Sequence, residues 1–287
     1  MLRYYVKKSY NEEPREVTTP SDEHMWVYGS EVSSDELLYL ADTYHIDDGV
    51  LKDVLDKHEL PRVEYAKGVL YVFLRAPHAT PSDGISSVPF LTVIKNSTLL
   101  TLSSRSYLTP DDLFQNVRFS MRSNKHVFLQ IVSYVIKQYQ EYIQQTGAYI
   151  HNTKKRLETH EVDTKDFLKF VTVESDLNEY TTDLTAIQTV LARLRENKHQ
   201  LFTDNDCEYI DDIVLHTNQL LVSVKSHTQA ITSIRNAYST ISNTTLNRRM
   251  KTLTLLTLLV ALPNVFFGMF GMIKLTIFLI ALDFPPG

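Results

Sequence analysis

From Asp111 onward the apolar positions fall mostly three and four apart. The two strongest helix breakers almost vanish: there is no Pro until Pro263 and no Gly between Gly147 and Gly268. Such spacing predicts long amphipathic helices. Val127, Ile131, Tyr134, Val135 and Gln138 keep one face, as do Leu184, Ile187, Val190, Leu191 and Leu194. Breaks are expected at Glu161-Val162-Asp163-Thr164 and at Phe202-Thr203-Asp204-Asn205-Asp206, where capping residues cluster. The last helix starts near Asp206 and carries Ile213, Leu220, Val224, Ile231, Ile234, Tyr238 and Ile241 on one stripe up to Asn247. Continued to Gly268, it would be roughly 90 Å long at about 1.5 Å per residue. A helix of that length implies a stalk packed against other helices, those of other subunits included.

Before Asp111 the pattern is different, with short apolar runs separated by Pro, Gly, Asn and Asp. Val69-Leu70-Tyr71-Val72-Phe73-Leu74 and Phe90-Leu91-Thr92-Val93-Ile94 are rich in β-branched and aromatic residues and predict strands. Lys95-Asn96-Ser97 turns the second into a hairpin partner, Thr98–Leu102. Ser33-Ser34-Asp35-Glu36 has the form of a capping box, so a helix starts there, and a second short one is expected around Asp47 to Lys57. The fold class is α+β: an α/β domain over 1–120, a long-helix bundle and stalk over 121–251, a transmembrane helix over 252–273 and a short tail over 274–287.

Thr252 to Ile273 carries no charge and matches the ~20 residues needed to cross a bilayer. Arg248-Arg249-Met250-Lys251 precedes it, a basic group of the kind retained on the cytoplasmic side. The N-terminal domain is therefore expected in the cytoplasm, with the chain anchored in the cell membrane. The start, Met1 to Lys8, lacks the apolar core of a secretory signal.

Lipid rewards no particular face of an anchor, yet this segment has one. Asn247, Met250, Leu253, Thr257, Ala261, Asn264, Gly268 and Gly271 form a line of mostly small or polar residues, while Leu255, Leu256, Leu258, Leu259, Val260, Val265, Phe266 and Phe267 occupy the other faces. Two readings fit: close helix packing, or the wall of a water-filled path. Spacing alone fits packing better; the pore reading gains because the line begins outside the bilayer and continues down a stalk. In a ring of such helices amides and hydroxyls would face a hydrated cation, and Met250 and Leu253 would form an apolar constriction.

Composition adds little to this. The chain has 287 residues, 43% apolar and 22% charged, an average that conceals the concentration of apolar residues after Lys251. The net charge of −5 argues against a nucleic-acid partner. A lone cysteine, Cys207, excludes an internal disulfide, and it sits among Asp204, Asp206 and Glu208, surroundings that weaken a thiolate nucleophile. There is no P-loop, no G-x-S-x-G and no H-E-x-x-H, and the ten His are scattered, so an enzyme is not expected.

Asn247-Arg248-Arg249-Met250-Lys251-Thr252-Leu253-Thr254, then Leu262-Pro263, then Phe267-Gly268-Met269-Phe270-Gly271-Met272 resembles the first membrane helix of CorA-type magnesium channels, in which a Pro leads to a G-M-N signature. Leu60-Pro61-Arg62-Val63-Glu64-Tyr65 and Leu70-Tyr71-Val72-Phe73-Leu74-Arg75-Ala76-Pro77 are similar to the family's cytoplasmic sheet. The resemblance implies a homopentamer in a lipid membrane that passes Mg2+ or other divalent cations, with a pore lined by Asn247, Met250, Leu253, Thr257, Ala261, Asn264 and Gly268. It implies selection at Gly271 and Met272, and closure by cytoplasmic Mg2+. Asp212-Ile213-Val214-Leu215-His216 keeps the first Asp and the His of the family's D-x-x-D-H stalk pattern, so Asp212 and His216 become candidate regulatory ligands. An exposed acid near a helix start is an equally good reading of Asp212.

The chain departs from the family in having Ile273 where the signature has Asn, and in ending with a run, Leu275–Leu282, too short to cross a bilayer as a helix. The end thus reads as truncated or altered. A zinc transporter of the same architecture and a non-transporting oligomeric scaffold are the alternatives.

Overall fold

Two prolines decide how far the central strands extend. Pro77 and Pro89 punctuate the runs after Leu74 and before Phe90, and proline cannot donate to a ladder, which predicts strands that stop short of both. In the computed structural model, which describes residues 1–6, 15–17, 25–80, 84–106, 108, 110–114, 123–158 and 164–282, the two strands run through them. They are β5 (Val69–Thr80) and β6 (Gly84–Lys95) of a series that begins with β1 (Leu2–Val6), β2 (Arg15–Val17), β3 (Met25–Ser30) and β4 (Arg62–Ala66) and ends with β7 (Thr98–Ser103). The sheet order is β2-β1-β3-β7-β6-β5-β4. Only β3 and β7 pair in parallel. β4 pairs with β5 no further than Phe73, and β7 with β6 no further than Phe90. Pro77 and Pro89 therefore lie where each strand has a free edge, and the missing N–H breaks no ladder.

Turn chemistry sets the hairpins. Lys67 and Gly68 both have positive φ, 50° and 80°, and join β4 to β5 with Ala66 opposite Val69. Two consecutive left-handed residues match the twist of the flanking strands. Asn96, at φ 51°, makes the expected turn into β7.

Helix α1 (Ser34–Tyr44) starts at the capping box: Glu36 N donates to Ser33 Oγ at 3.2 Å, and Ser33 N donates to Glu36 Oε2 at 2.9 Å. It ends at His45 in the left-handed region. Asp47 caps α2 (Asp48–Lys52), which tightens into a 3-10 turn over Asp53–Leu55. Leu37, Leu40, Leu51 and Val54 from this segment bury against Met25, Val27, Tyr71, Phe73, Leu91 and Leu100 on one face of the sheet. The alternate residues of each strand face the other way. There Trp26 and Thr101 are buried and satisfy each other, Nε1 donating to Oγ1 at 2.9 Å.

After α3 (Pro110–Phe114) come three long helices, α4 (Asn124–Glu158), α5 (Thr164–Arg195) and α6 (Asp204–Leu282). The predicted stripes are their buried faces: Val127, Ile131 and Val135 on α4, Leu184, Ile187, Val190, Leu191 and Leu194 on α5. Of the break expected at Glu161–Thr164, residues 161–163 lie outside the described residues; α5 starts at Thr164. The break expected before Asp206 falls between Arg195 and Asp204, where Thr203 N and Asp206 Oδ2 and, reciprocally, Asp206 N and Thr203 Oγ1 cap α6 at 3.0 and 3.2 Å.

The chain forms two compact units, Met1–Thr232 and Ser233–Gly287, and α6 contributes residues to both. It runs on through Lys274 to Leu282, past the end expected for the membrane helix, because neither Ile273 nor Lys274 is a helix breaker. The tail residues 283–287 lie outside the described residues.

Candidate functional site

In the second unit the distinguishing element is the apolar part of α6. It is long and apolar enough to cross a membrane, and none of its most apolar stretch is buried within the chain. Asn247, Thr257, Ala261, Asn264, Gly268 and Gly271 are all exposed, as are Met250 at 57% and Leu253 at 64%. Steps of three and four along one helix keep them on one side. Met272 and Ile273 lie in α6, but their side chains are outside the described residues.

Local hydrogen bonding fixes the chemistry the hydroxyls of this segment present, Thr257 on the line among them. Thr252, Thr254 and Thr257 donate their hydroxyls to the carbonyls of Arg248, Met250 and Leu253, one turn back, at 3.0, 2.9 and 2.9 Å. A hydroxyl that has spent its proton on its own helix still has lone pairs to offer. Pro263 inside the helix has no N–H, which leaves the Leu259 carbonyl, on the face away from the line, without its helical partner. Acceptors are what a hydrated cation requires, since its bound waters point their protons outward.

The glycines carry a second message. A Cβ on Gly29, in β3, would come within 2.7 Å of Leu102 Cδ2 and Val32 Cγ1, so that glycine serves packing within the chain. A Cβ on Gly268 or Gly271 would meet nothing within 4 Å. Their small size leaves room for something outside the chain.

In the first unit, Asp212 is exposed on α6, and His216, one turn later, is half-buried. Leu215, where the resembled pattern has its second Asp, is 58% exposed. Asp211 pairs with Arg195 at 2.6 Å. Among the described residues no group of three or more His, Cys, Asp or Glu is placed to hold a metal ion. His216 faces a groove of about 190 Å³ between α4 and α6 instead, together with Gln140, Gln144, Gln219, Ser223 and His227. Sequence reading named His216 but not these neighbours; the one available signal was Gly147, an isolated glycine inside a long helix.

A second group unanticipated from the sequence ties the sheet to the helices. Arg75 on β5 donates to Ser87 Oγ at 2.7 Å, Ser87 O at 2.8 Å, Glu59 O at 2.9 Å and Lys57 O at 3.0 Å, and its Nε lies 3.5 Å from Asp183 Oδ1 on α5. Tyr139 on α4 donates to Asp183 Oδ2 at 2.9 Å, and Glu179 accepts from Ser87 N at 2.7 Å. Asp183 is only 4% exposed. Burial pushes its carboxyl above the ordinary range, against the opposing hydrogen bonds of Ser87 and Tyr139 and the charge of Arg75. The group is structural: it pins three elements that the sequence places far apart.

Comparison with known proteins is consistent with this arrangement. The chain is 24% identical over 255 residues to the cobalt/magnesium transport protein CorA of Methanocaldococcus jannaschii, covering 86% of this chain and 79% of that protein. It superimposes on the complete structure of the M. jannaschii CorA magnesium transporter with a TM-score of 0.82, at 20% identity, covering 94% of this chain and 86% of that one. The full-length CmaX protein gives a TM-score of 0.76 at 16% identity, covering 89% and 81% of the two chains. The family model for CorA-like Mg2+ transporter proteins matches residues 21–272, taking in strands β3 to β7 and the line on α6, and the chain belongs to that family.

Proposed function

We propose that the chain is a pore-forming subunit of a homopentameric Mg2+ channel in the cell membrane, with its N-terminal domain in the cytoplasm. The observation that carries this reading is the line of acceptor and small residues along the apolar part of α6, charge-free from Thr252 to Ile273, in a CorA-family member. Five copies of α6 around an axis give each line a place facing water: Asn247, Thr257 and Asn264 accept from the ion's hydration shell, and Met250 and Leu253 narrow the path. Ala261 and Gly268 keep it wide, and Gly271 with Met272 stands at its mouth. The labour divides as residues 1–120 for the cytoplasmic α/β domain, 121–251 for the bundle and stalk, 252–273 for the pore helix and 274–287 for the tail.

Asp212 is the candidate for a regulatory Mg2+, with His216 beside it. Mg2+ takes oxygen ligands in a near-octahedral shell. The described residues of one chain do not complete such a shell, so an ion there takes its further oxygens from water or another subunit. An imidazole suits zinc better than magnesium, and His216 is thus the feature that favours a zinc transporter of the same architecture. Ile273, in place of a signature Asn, favours the scaffold reading.

An accessibility scan tests the lining. In a Cys207→Ser chain, single cysteines at Thr257 and Ala261 are expected to react with a water-soluble, membrane-impermeant thiol reagent. Cysteines at Leu256 and Leu259 are expected to stay unmodified. Equal reactivity of the two pairs refutes the assignment of the line to a water-filled path.

A further inference from the structure

Helix α4 holds one glycine, at position 147, in the middle of a helix where Ala would be favoured by about 1 kcal/mol. Its reason lies on α6: a Cβ there would stand 2.6 Å from His227 Nε2 and 2.7 Å from His227 Cε1. The imidazole is seated in a notch cut into the α4 backbone. It lines the α4–α6 groove with Gln140, Gln144, His216, Gln219 and Ser223, over Ile143 and Leu220. No carboxylate, lysine or arginine lines this groove. Glu141, His151 and Lys225 on the same helices are exposed; on α5, Tyr180 meets Thr146 beside Gly147, with Asp176 and Glu179 as its charged neighbours, and Gln188 meets Asn218 of α6 nine residues from His227. Three turns of helix separate His216 from His227, about 16 Å along the axis, too far for both to bind one ion.

We infer that this groove is a proton-responsive seam: neutral His227 fills the Gly147 notch and holds α4 against α6, and its protonation parts the two helices. A cation in the notch would open onto a groove lined by amides and a hydroxyl, with the second imidazole three turns away. Burial alone pushes the His227 imidazole below its ordinary value. The packed arrangement therefore binds fewer protons than the parted one, and its stability falls as pH drops from the ordinary histidine range, about 6.5, toward the lowered value. The same helix carries the proposed pore line, so the seam offers cytoplasmic acid a route to the channel. The seam itself does not require that the chain conduct.

The test is a distance measurement by paired spin labels at Lys137 on α4 and Ser226 on α6, both exposed, in the full Cys207→Ser chain in lipid nanodiscs. At pH 7.5 a single narrow distance is expected, and at pH 5.5 a second, longer one that accounts for at least a third of the molecules. His227→Gln, which keeps a neutral side chain of similar reach, is expected to show the narrow distance at both pH values. Gly147→Ala, which pushes the imidazole out of the notch, is expected to abolish the difference between the two pH values. An unchanged distribution for the parent chain at pH 5.5 overturns the inference, as does a pH response that survives either substitution. Neither outcome depends on Mg2+ flux, so a failure here is separable from a failure of the channel reading.

Discussion

Replacing Asn264 by lysine is expected to cut Mg2+ uptake into proteoliposomes at least about 100-fold. Two unit charges 4 Å apart interact by about 4 kcal/mol at an effective dielectric of about 20. For a divalent ion the figure doubles, and for one held back by its hydration shell it falls again by about half. A barrier near 4 kcal/mol corresponds to roughly a thousandfold in rate, and screening by water in the path reduces this. Insertion is a separate matter, since a lysine at the centre of a membrane helix costs about 2.5–3.5 kcal/mol. Asn264→Asp carries a comparable insertion penalty with the opposite sign of charge, and is expected to keep uptake within about threefold of the parent chain. If both variants lose uptake equally while the amount of inserted protein is the same, Asn264 does not face the ion path. Leu259→Ala, off the proposed pore line of the same helix, is expected to conduct like the parent.

The second large effect is on stability. Arg75→Ala removes four hydrogen bonds and the cation beside a carboxylate that is almost wholly buried. Breaking a buried pair from one side costs about 3–5 kcal/mol. A loss on the order of 10 °C in the melting temperature of the detergent-solubilised chain is the expected reading. Asp183→Asn is expected to cost less, because the amide oxygen still accepts from Tyr139 and Arg75, though left without its counter-charge, keeps its four hydrogen bonds to Ser87, Glu59 and Lys57. The pH dependence has a definite sign. A carboxyl whose folded value lies above its unfolded one binds more protons when folded, so its contribution falls as pH rises through that window, from the ordinary value of 3.8 upward. Arg75→Ala raises the folded value further, and its deficit is therefore smallest in acid and largest near neutrality. A variant that melts with the parent chain at neutral pH would show that Arg75 does not hold the sheet to α5.

Much of this fold is written locally, and those parts were legible. The capping box at Ser33, the turn at Asn96 and the stripes on α4, α5 and α6 each depend on residues within a turn or two of one another. The line from Asn247 to Gly271 is read from the periodicity of one helix, all of whose faces are exposed within a single chain. The parts that escaped depend on partners distant in sequence. β5 and β6 extend through Pro77 and Pro89 because β4 and β7 stop first, and the length of a neighbour is not encoded in the strand itself. Arg75 and Asp183 are joined across more than a hundred residues, and neither stands out in its own segment. Gly147 was visible as an oddity, but its meaning needs His227 from another helix.

The candidate site divides along the same line. The proposed pore face is read from helical periodicity and from the resemblance to the family's motif. Its proposed regulatory ligands are not, because no group of three or more His, Cys, Asp or Glu gathers around Asp212 among the described residues. Gly268 and Gly271 have open space around them, and nothing within the chain requires their small size.

Mg2+ uptake into liposomes containing the purified chain, with the mass of the assembly determined in the same detergent, addresses the central claim most directly. The account predicts a pentamer that takes up Mg2+ at a rate well above that of protein-free liposomes. A pentamer without uptake, or a monomer, would contradict it.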